Sequence, residues 1–203
     1  MRLFERQWLV NLILWGNFAR LRDAALGALG APLPGRTLQV ACVYGDLTRR
    51  LAARLAPGGA LDVVDVLPVQ LENLARKLAA QDRVRLIHGD STALALPSAS
   101  YDRALLFFLL HEQPEHARRA TLAEALRVVR PGGRVVVVDY HRPRAWHPLF
   151  APMAAILGAL EPFALDLWRR DLREWLPERA RGAALERRTA SGGLYQLVTL
   201  TVG

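Results

Sequence analysis

The sequence is short of several things, and each shortage excludes something. Cys42 is the only cysteine in 203 residues. That rules out an intrachain disulfide framework and a cysteine-based zinc cluster, and it suits a reducing compartment. Lys77 is the only lysine among 27 basic residues. With leucine and alanine abundant and isoleucine scarce, such a skew reflects coding bias more than a nucleic-acid surface. Long hydrophobic runs are missing too: a bilayer span needs roughly 20 apolar residues, whereas residues 8–15 are interrupted by Asn11 and residues 146–160 carry two prolines. Arg20, Arg22 and Asp23 follow the first run before any small-residue cleavage site, so it reads as a retained helix rather than a signal peptide.

What is present is a globular composition. At 52% hydrophobic and 23% charged residues, the chain can bury a sizeable core and is not a disordered polymer. The net charge of +8 favours anionic partners, an anionic membrane as much as nucleic acid. No basic run interleaved with aromatics tracks a nucleic-acid backbone, so no nucleic-acid partner is expected.

From Arg36 onward short apolar runs alternate with helical patterns. Residues 37–43, 61–66, 84–87, 103–109 and 134–140 read as buried strands, and 47–56, 68–80 and 115–129 as helices with apolar residues three and four apart. This rhythm gives an α/β fold, a Rossmann-like, doubly wound and mostly parallel sheet. Residues 147–160 and 164–176 read as late apolar helices, and 183–190 with 194–202 as a closing antiparallel hairpin around Ser191-Gly192-Gly193. The economical division is an N-terminal helical appendage over 1–35 and one domain over 36–203, with a helical insertion at about 144–178.

In an open parallel sheet the ligand lies beyond the carboxyl ends of the strands. Those ends carry Ala41-Cys42-Val43-Tyr44-Gly45-Asp46, Asp65, Asp90-Ser91, His111-Glu112 and Asp139-Tyr140-His141. An acid ending the second strand can accept both ribose hydroxyls of a nucleotide, and one after the third can accept from an adenine amine. Either alone is often a helix cap. In order, Asp65 and Asp90 point to an adenosine-bearing ligand.

Leu94-Ala-Leu-Pro97, Tyr101-Asp102 and Glu124-Ala-Leu-Arg127-Val-Val-Arg130-Pro-Gly-Gly133 resemble class I S-adenosylmethionine-dependent methyltransferases of the quinone-modifying kind, over about residues 37–141. The departure lies in the first loop, where those enzymes carry an acid and then G-x-G-x-G. Here Gln39 replaces the acid, Ala41 and Val43 replace two glycines, and Gly45 remains. The segments Trp8-Leu-Val-Asn11-Leu-Ile-Leu-Trp15-Gly16-Asn17, Val40-Ala-Cys-Val-Tyr-Gly-Asp-Leu-Thr48 and Leu160-Glu-Pro-Phe-Ala-Leu-Asp-Leu-Trp168 resemble the rhodoquinone biosynthesis methyltransferase family. That resemblance implies conversion of ubiquinone to rhodoquinone by replacing a ring methoxy group with an amino group. It also implies S-adenosylmethionine as nitrogen donor, with a manganese ion (Mn2+) assisting.

On this reading Ala41, Val43, Tyr44, Gly45, Asp65, Asp90 and Ser91 are the candidate cofactor contacts. The bulk of Val43 and Tyr44 would turn the donor's amino end toward the quinone. Asp46, His111, Glu112, Asp139 and His141 are the candidate metal ligands, since manganese takes hard oxygen ligands with an occasional imidazole. None of their pairs has diagnostic metal-site spacing. The candidate catalytic residues are His111 and His141, either of which has the pKa range of a general base, and Tyr44. The apolar, arginine-flanked faces near Trp8–Trp15 and Trp146–Trp168 fit contact with a membrane surface, which places the protein in the cytoplasm, on the inner face of the cytoplasmic membrane. The alternatives are conventional methylation of a quinone or another apolar small molecule, and a non-catalytic methyltransferase-like subunit.

Overall fold

A computed structural model describes residues 14–43, 45–78, 83–161 and 163–203. Its elements run α1 (Phe18–Leu29), β1 (Arg36–Val40), α2 (Leu47–Ala52), β2 (Ala60–Asp65), α3 (Pro68–Leu78), β3 (Val84–His88), β4 (Tyr101–Phe107), α4 (Glu115–Val128), β5 (Val129–Tyr140), α5 (Phe150–Leu160), α6 (Asp166–Arg169), β6 (Leu185–Ala190) and β7 (Tyr195–Thr201). A single 3-10 turn, Leu110–Glu112, links β4 to α4. The strands form one sheet of seven in the order β3-β2-β1-β4-β5-β7-β6. The first five are parallel, and β7 pairs antiparallel with both β5 and β6. The expected doubly wound sheet with a closing hairpin is the one observed.

Its central strands are apolar along their length because helices cover both faces. Leu38 and Val40 of β1, Ala104 to Phe107 of β4 and Val135 to Val138 of β5 are all buried. On one side α1 packs through Phe18, Leu21, Ala25, Leu26 and Leu29, a stripe at helical spacing. Phe18 meets Phe107 edge-on at 6.0 Å. From α4 the buried side chains are Thr121, Leu122, Ala125 and Leu126, with Arg118 among them. The edge strand β6 exposes Glu186 and Arg188, charges that discourage further pairing.

The loops are chemically specified. Pro131 and Gly132 turn the chain into the regular part of β5. A Cβ on Gly133 would stand 2.5 Å from Val129 Cγ1 and 2.7 Å from the Asp102 carbonyl, so only glycine lets β4 and β5 close at that end. The helix expected over 47–56 ends earlier, at Ala52; the one expected over 68–80 is helical through Leu78, and residues 79 and 80 lie outside the described residues. The 164–176 helix is broken into α6 and a 3-10 turn over Leu172–Trp175, which opens on an Asp171–Glu174 capping box. The Trp8–Asn11 part of the N-terminal run is likewise outside the described residues. No helix among the described residues is long and apolar enough to cross a membrane.

Candidate functional site: a cavity at the strand ends

The parallel strands end on a cavity of about 650 Å³, within the size range of small-molecule and cofactor sites. One wall is the loop after β1, at Ala41, Cys42 and Val43. Asp65, Val66 and Leu67 follow β2, Gly89 to Thr92 follow β3, and Phe107 to Leu109 with His111 to Gln113 follow β4. Tyr140 closes the floor, Leu14 and Phe18 enter from α1 and the turn before it, and Glu161 enters from the end of α5.

The first loop holds a methyltransferase-like trace without its glycines. Ala41 takes a φ of 71°, a left-handed conformation that costs an alanine about 1–2 kcal/mol. The strain therefore falls on Ala41, not on Val43, whose Cβ the sequence reading singled out. Gln39 is fully buried, and its Nε2 donates to the Ala41 carbonyl at 2.9 Å. The Cys42 N–H donates to Asp65 Oδ2 at 2.6 Å, and the Leu67 N–H to Asp65 Oδ1 at 2.8 Å. Each oxygen of Asp65 keeps one acceptor site, enough for a pair of ribose hydroxyls. Burial and the neighbouring Asp65 push the Cys42 thiol well up, so it is not a thiolate nucleophile.

Asp90 and Ser91 also line the cavity. Asp90 Oδ1 accepts the Thr92 N–H at 2.8 Å, and Ser91 Oγ sits 2.9 Å from Thr121 Oγ1. Gln113 donates to both hydroxyls, at 3.1 and 3.0 Å, and fastens the β3 loop to α4. The expected contacts Ala41, Val43, Asp65, Asp90 and Ser91 are thus brought together on one cavity. Gly45 (φ 86°) lies beyond the cavity wall, where it turns the chain toward α2. Tyr44 is outside the described residues.

At the other end of the cavity stands a His–Asp pair. His111 Nδ1 lies 3.0 Å from Asp139 Oδ1. Asp139 is fully buried and also accepts the backbone N–H groups of Leu110, His111 and Tyr140. A carboxylate only accepts, so Nδ1 carries the proton and Nε2 keeps its lone pair. Burial opposes charge on the imidazole, but the Asp139 charge and hydrogen bond outweigh it, and the His111 pKa is raised. Around it is an aromatic wall: Phe108 (φ 52°) meets Tyr140 at 5.4 Å and His111 at 6.0 Å, and His111 meets Tyr140 at 4.9 Å, all edge-on. A planar ring could lie there beside Nε2.

The five expected metal ligands do not converge. Asp46 is held by Arg22 Nη1 at 2.7 Å and Arg50 Nε at 2.5 Å, away from the cavity. These ion pairs hold its carboxyl below the ordinary aspartate value against the opposing effect of burial. His141 does not line the cavity; its Nδ1 meets the Gly193 carbonyl at 2.8 Å. That corrects it both as a ligand and as the alternative base. Asp139 is fully engaged by His111 and three N–H groups, and Glu112 stands exposed at the cavity mouth, 3.9 Å from His111 Nε2. No group of three metal-ligating side chains occurs among the described residues. Manganese therefore does not fit the described residues.

Arg118 is the positioning residue that sequence reading passed over. It is fully buried; its Nε donates to the Leu110 carbonyl, and its Nη2 to the carbonyls of Gln113 and Phe163, each at 3.0 Å. Its guanidinium lies 4.4 Å from the Trp175 ring centre. The only signal was an arginine on the buried stripe of α4, at helical spacing to Thr121, Leu122 and Ala125.

Strand order and switch-point cavity are those of the Rossmann-like fold found in solved methyltransferases. A family model described as a methyltransferase domain matches residues 37–133. The chain is 30% identical over 146 residues to the demethylmenaquinone methyltransferase of Staphylococcus aureus (strain JH9), a match that covers 72% of this chain and 59% of that protein. The chain thus spans about three fifths of the length of the curated relatives it matches. Among solved structures, an S-adenosylmethionine-dependent methyltransferase from Aquifex aeolicus aligns at a TM-score of 0.61 and 17% identity, over 90% of this chain and 89% of that one. A geranyl diphosphate methyltransferase in complex with S-adenosylmethionine aligns at 0.58 and 17%, over 91% and 85%.

Proposed function

We propose that the protein is an S-adenosylmethionine-dependent transferase of quinone metabolism that converts ubiquinone to rhodoquinone, with S-adenosylmethionine supplying the nitrogen. The observation that carries this reading is the altered first loop. In an ordinary methyltransferase of this fold the loop is glycine-rich. Here Ala41 and Val43 put side chains on the wall where the donor's amino-acid end would lie, while Asp65 and Asp90 remain placed for its adenosine. The segment resemblance to the rhodoquinone family supports the same reading.

The chemistry asked of the site is a displacement. The ring carbon bearing the methoxy group is a vinylogous ester; an amine adds to it and the carbon–oxygen bond breaks. Methoxide leaves as methanol, taking up the proton that the nitrogen has lost. The donor–quinone adduct then gives up its α-proton, and the electron pair reduces the ring to the quinol and leaves an imine. Water hydrolyses that imine to the aminoquinol (rhodoquinol, which reoxidises to rhodoquinone) and the α-keto acid of the donor. An α-ammonium group must be neutral to attack. His111 Nε2, 3.9 Å from Glu112 and backed through Nδ1 by Asp139, is the base proposed to take that proton. The aromatic wall of Phe108 and Tyr140 holds the ring flat and excludes water. No step is assigned to a metal ion.

A second reading is methylation of a quinol ring carbon, which the similarity to the demethylmenaquinone methyltransferase favours. There His111 would take a phenolic proton. Mass spectrometry of the lipid extract, after incubation with ubiquinone and S-adenosylmethionine, separates the two. A lighter, nitrogen-containing quinone is the expected product. In a parallel incubation with a quinol that keeps one unsubstituted ring carbon, a product heavier by one methyl group would establish the second reading, and no change to either substrate with S-adenosylmethionine bound would point to another substrate.

A further inference from the structure

Among the described residues, the large hydrophobic side chains left exposed include two of the cavity rim and several on the segments that lead to its lining residues. Val66 and Leu67 form part of its rim and are 58% and 47% exposed, and Val69 follows them on α3. Across the opening, α5 turns Met153 and Leu157 inward and leaves Ile156 and Leu160 outward, Leu160 being 73% exposed. Glu161, the next residue, lines the cavity. Trp15 belongs to the same side, with its indole N–H directed at Met153 Sδ at 3.0 Å. Trp146, 75% exposed, stands just before α5.

This apolar rim has a cationic border. Arg144 lies 5.6 Å from the Trp146 ring centre, and neither Arg142 nor Arg144 makes an ion pair among the described residues. A groove beside Phe150 and Trp168 is lined by Arg142, Arg169, Arg170, Asp171 and Arg187, of which Arg169 is paired with Asp166, Arg170 with Glu115 and Arg187 with Asp171, so that Arg142 is its uncommitted cation among the described residues. Tryptophan and leucine beside unpaired arginines match the interface of an anionic bilayer, whose apolar layer and phosphate layer lie side by side. A protein partner would need complementary acids; a lipid surface supplies the negative charge without fixed geometry.

We propose that the rim of the cavity docks on an anionic phospholipid surface, with α5 and Trp146 in the apolar layer and Arg142 and Arg144 on the phosphates. The cavity mouth then faces the membrane, and a lipid-soluble substrate enters without crossing water. This docking does not depend on which group is transferred.

The test is cosedimentation of the full chain with vesicles of phosphatidylcholine alone or with phosphatidylglycerol added. Binding is expected only where phosphatidylglycerol is present, and it should weaken as salt rises. Replacing Arg142 and Arg144 by alanine should weaken it by about fivefold per arginine. Leu160→Glu, and separately Ile156→Gln, should weaken it at least about tenfold, each removing a buried aliphatic contact. Both sites are exposed, so thermal unfolding should be unchanged and turnover of a short-tailed, water-soluble quinone retained. If that turnover is absent while vesicle binding stands, the function reading fails and the docking survives. Equal binding to both vesicle types, no binding to either, or wild-type binding by the variants overturns the proposal. So does a dimer in solution that the Leu160→Glu change dissociates, because a second copy would then cover the rim.

Discussion

At His111 burial opposes charge, but the charge of Asp139, with smaller help from Glu112 and Glu161, outweighs it and sets the protonation of the ring. The raised pKa means that the imidazole holds its proton above the ordinary histidine value of about 6.5. A base acts only when unprotonated, so kcat/KM should fall as pH drops, with an acid limb above that value. Asp139→Asn removes the charge and leaves the burial, and the limb should move to lower pH while the rate falls. His111→Ala should lower kcat by about 10²–10⁴-fold, the range for loss of a general base, with S-adenosylmethionine binding by calorimetry unchanged. A normal rate in His111→Ala would end its catalytic assignment. Ala41 offers the complementary measurement. Glycine there removes about 1–2 kcal/mol of left-handed strain but adds about 0.4–1 kcal/mol of unfolded-state entropy. Ala41→Gly should therefore raise the urea midpoint slightly, whereas alanine at Gly45 (φ 86°) should lower it.

Among the elements, α4 fastens the rest. Its Arg118 ties together the turn carrying His111, the Gln113 backbone and the segment entering α6, through three carbonyls that α4 itself does not own. A methionine can fill the volume but removes all three bonds; the Leu110 and Phe163 carbonyls keep the N–H groups of Gln113 and Asp166, while the Gln113 carbonyl loses the donor from Arg118, at about 1–3 kcal/mol. Arg118→Met should lower stability by about that much or more, and Arg118→Lys should rescue only part, because an ammonium cannot span the fork of a guanidinium. The distinguishing readout is the pH profile: loosening the Leu110–Glu112 turn should shift the acid limb as well as the melting temperature. The element pattern itself was legible in the sequence. Apolar runs, Pro68 at a helix start and Pro131-Gly132-Gly133 are local signals. The end of α2 was less so, because apolar spacing continues past its last helical residue to Leu55, which is buried in the loop that follows.

For the molecule as a whole, the sheet brings residues far apart in the chain to one end, where they share a cavity. If that cavity takes S-adenosylmethionine, the folded state alone binds it. Ligand at a hundred times its Kd should then stabilise the protein by about 2.7 kcal/mol, read as a rise in melting temperature. Asp65→Ala should abolish the rise. It also frees the Cys42 and Leu67 N–H groups, so its own melting temperature is the baseline for comparison. An unshifted melting temperature in the wild type would favour the non-catalytic subunit.

The sequence by itself determined the doubly wound sheet, the closing hairpin, and the order of the acids at the strand ends. Those follow from periodicity and from where each run stops, both of which are local. It did not determine which of those polar residues meet. Asp46, Asp139 and His141 looked equivalent as strand-end ligands, yet one pairs with Arg22 and Arg50, one with His111, and one with the Gly193 carbonyl. These pairings depend on how far each strand is shifted against its neighbour and on which side of β5 a side chain emerges. Only the tertiary structure fixes those, because a carboxylate's partner is chosen by three-dimensional proximity in a water-poor interior, where an unpaired charge costs too much to persist.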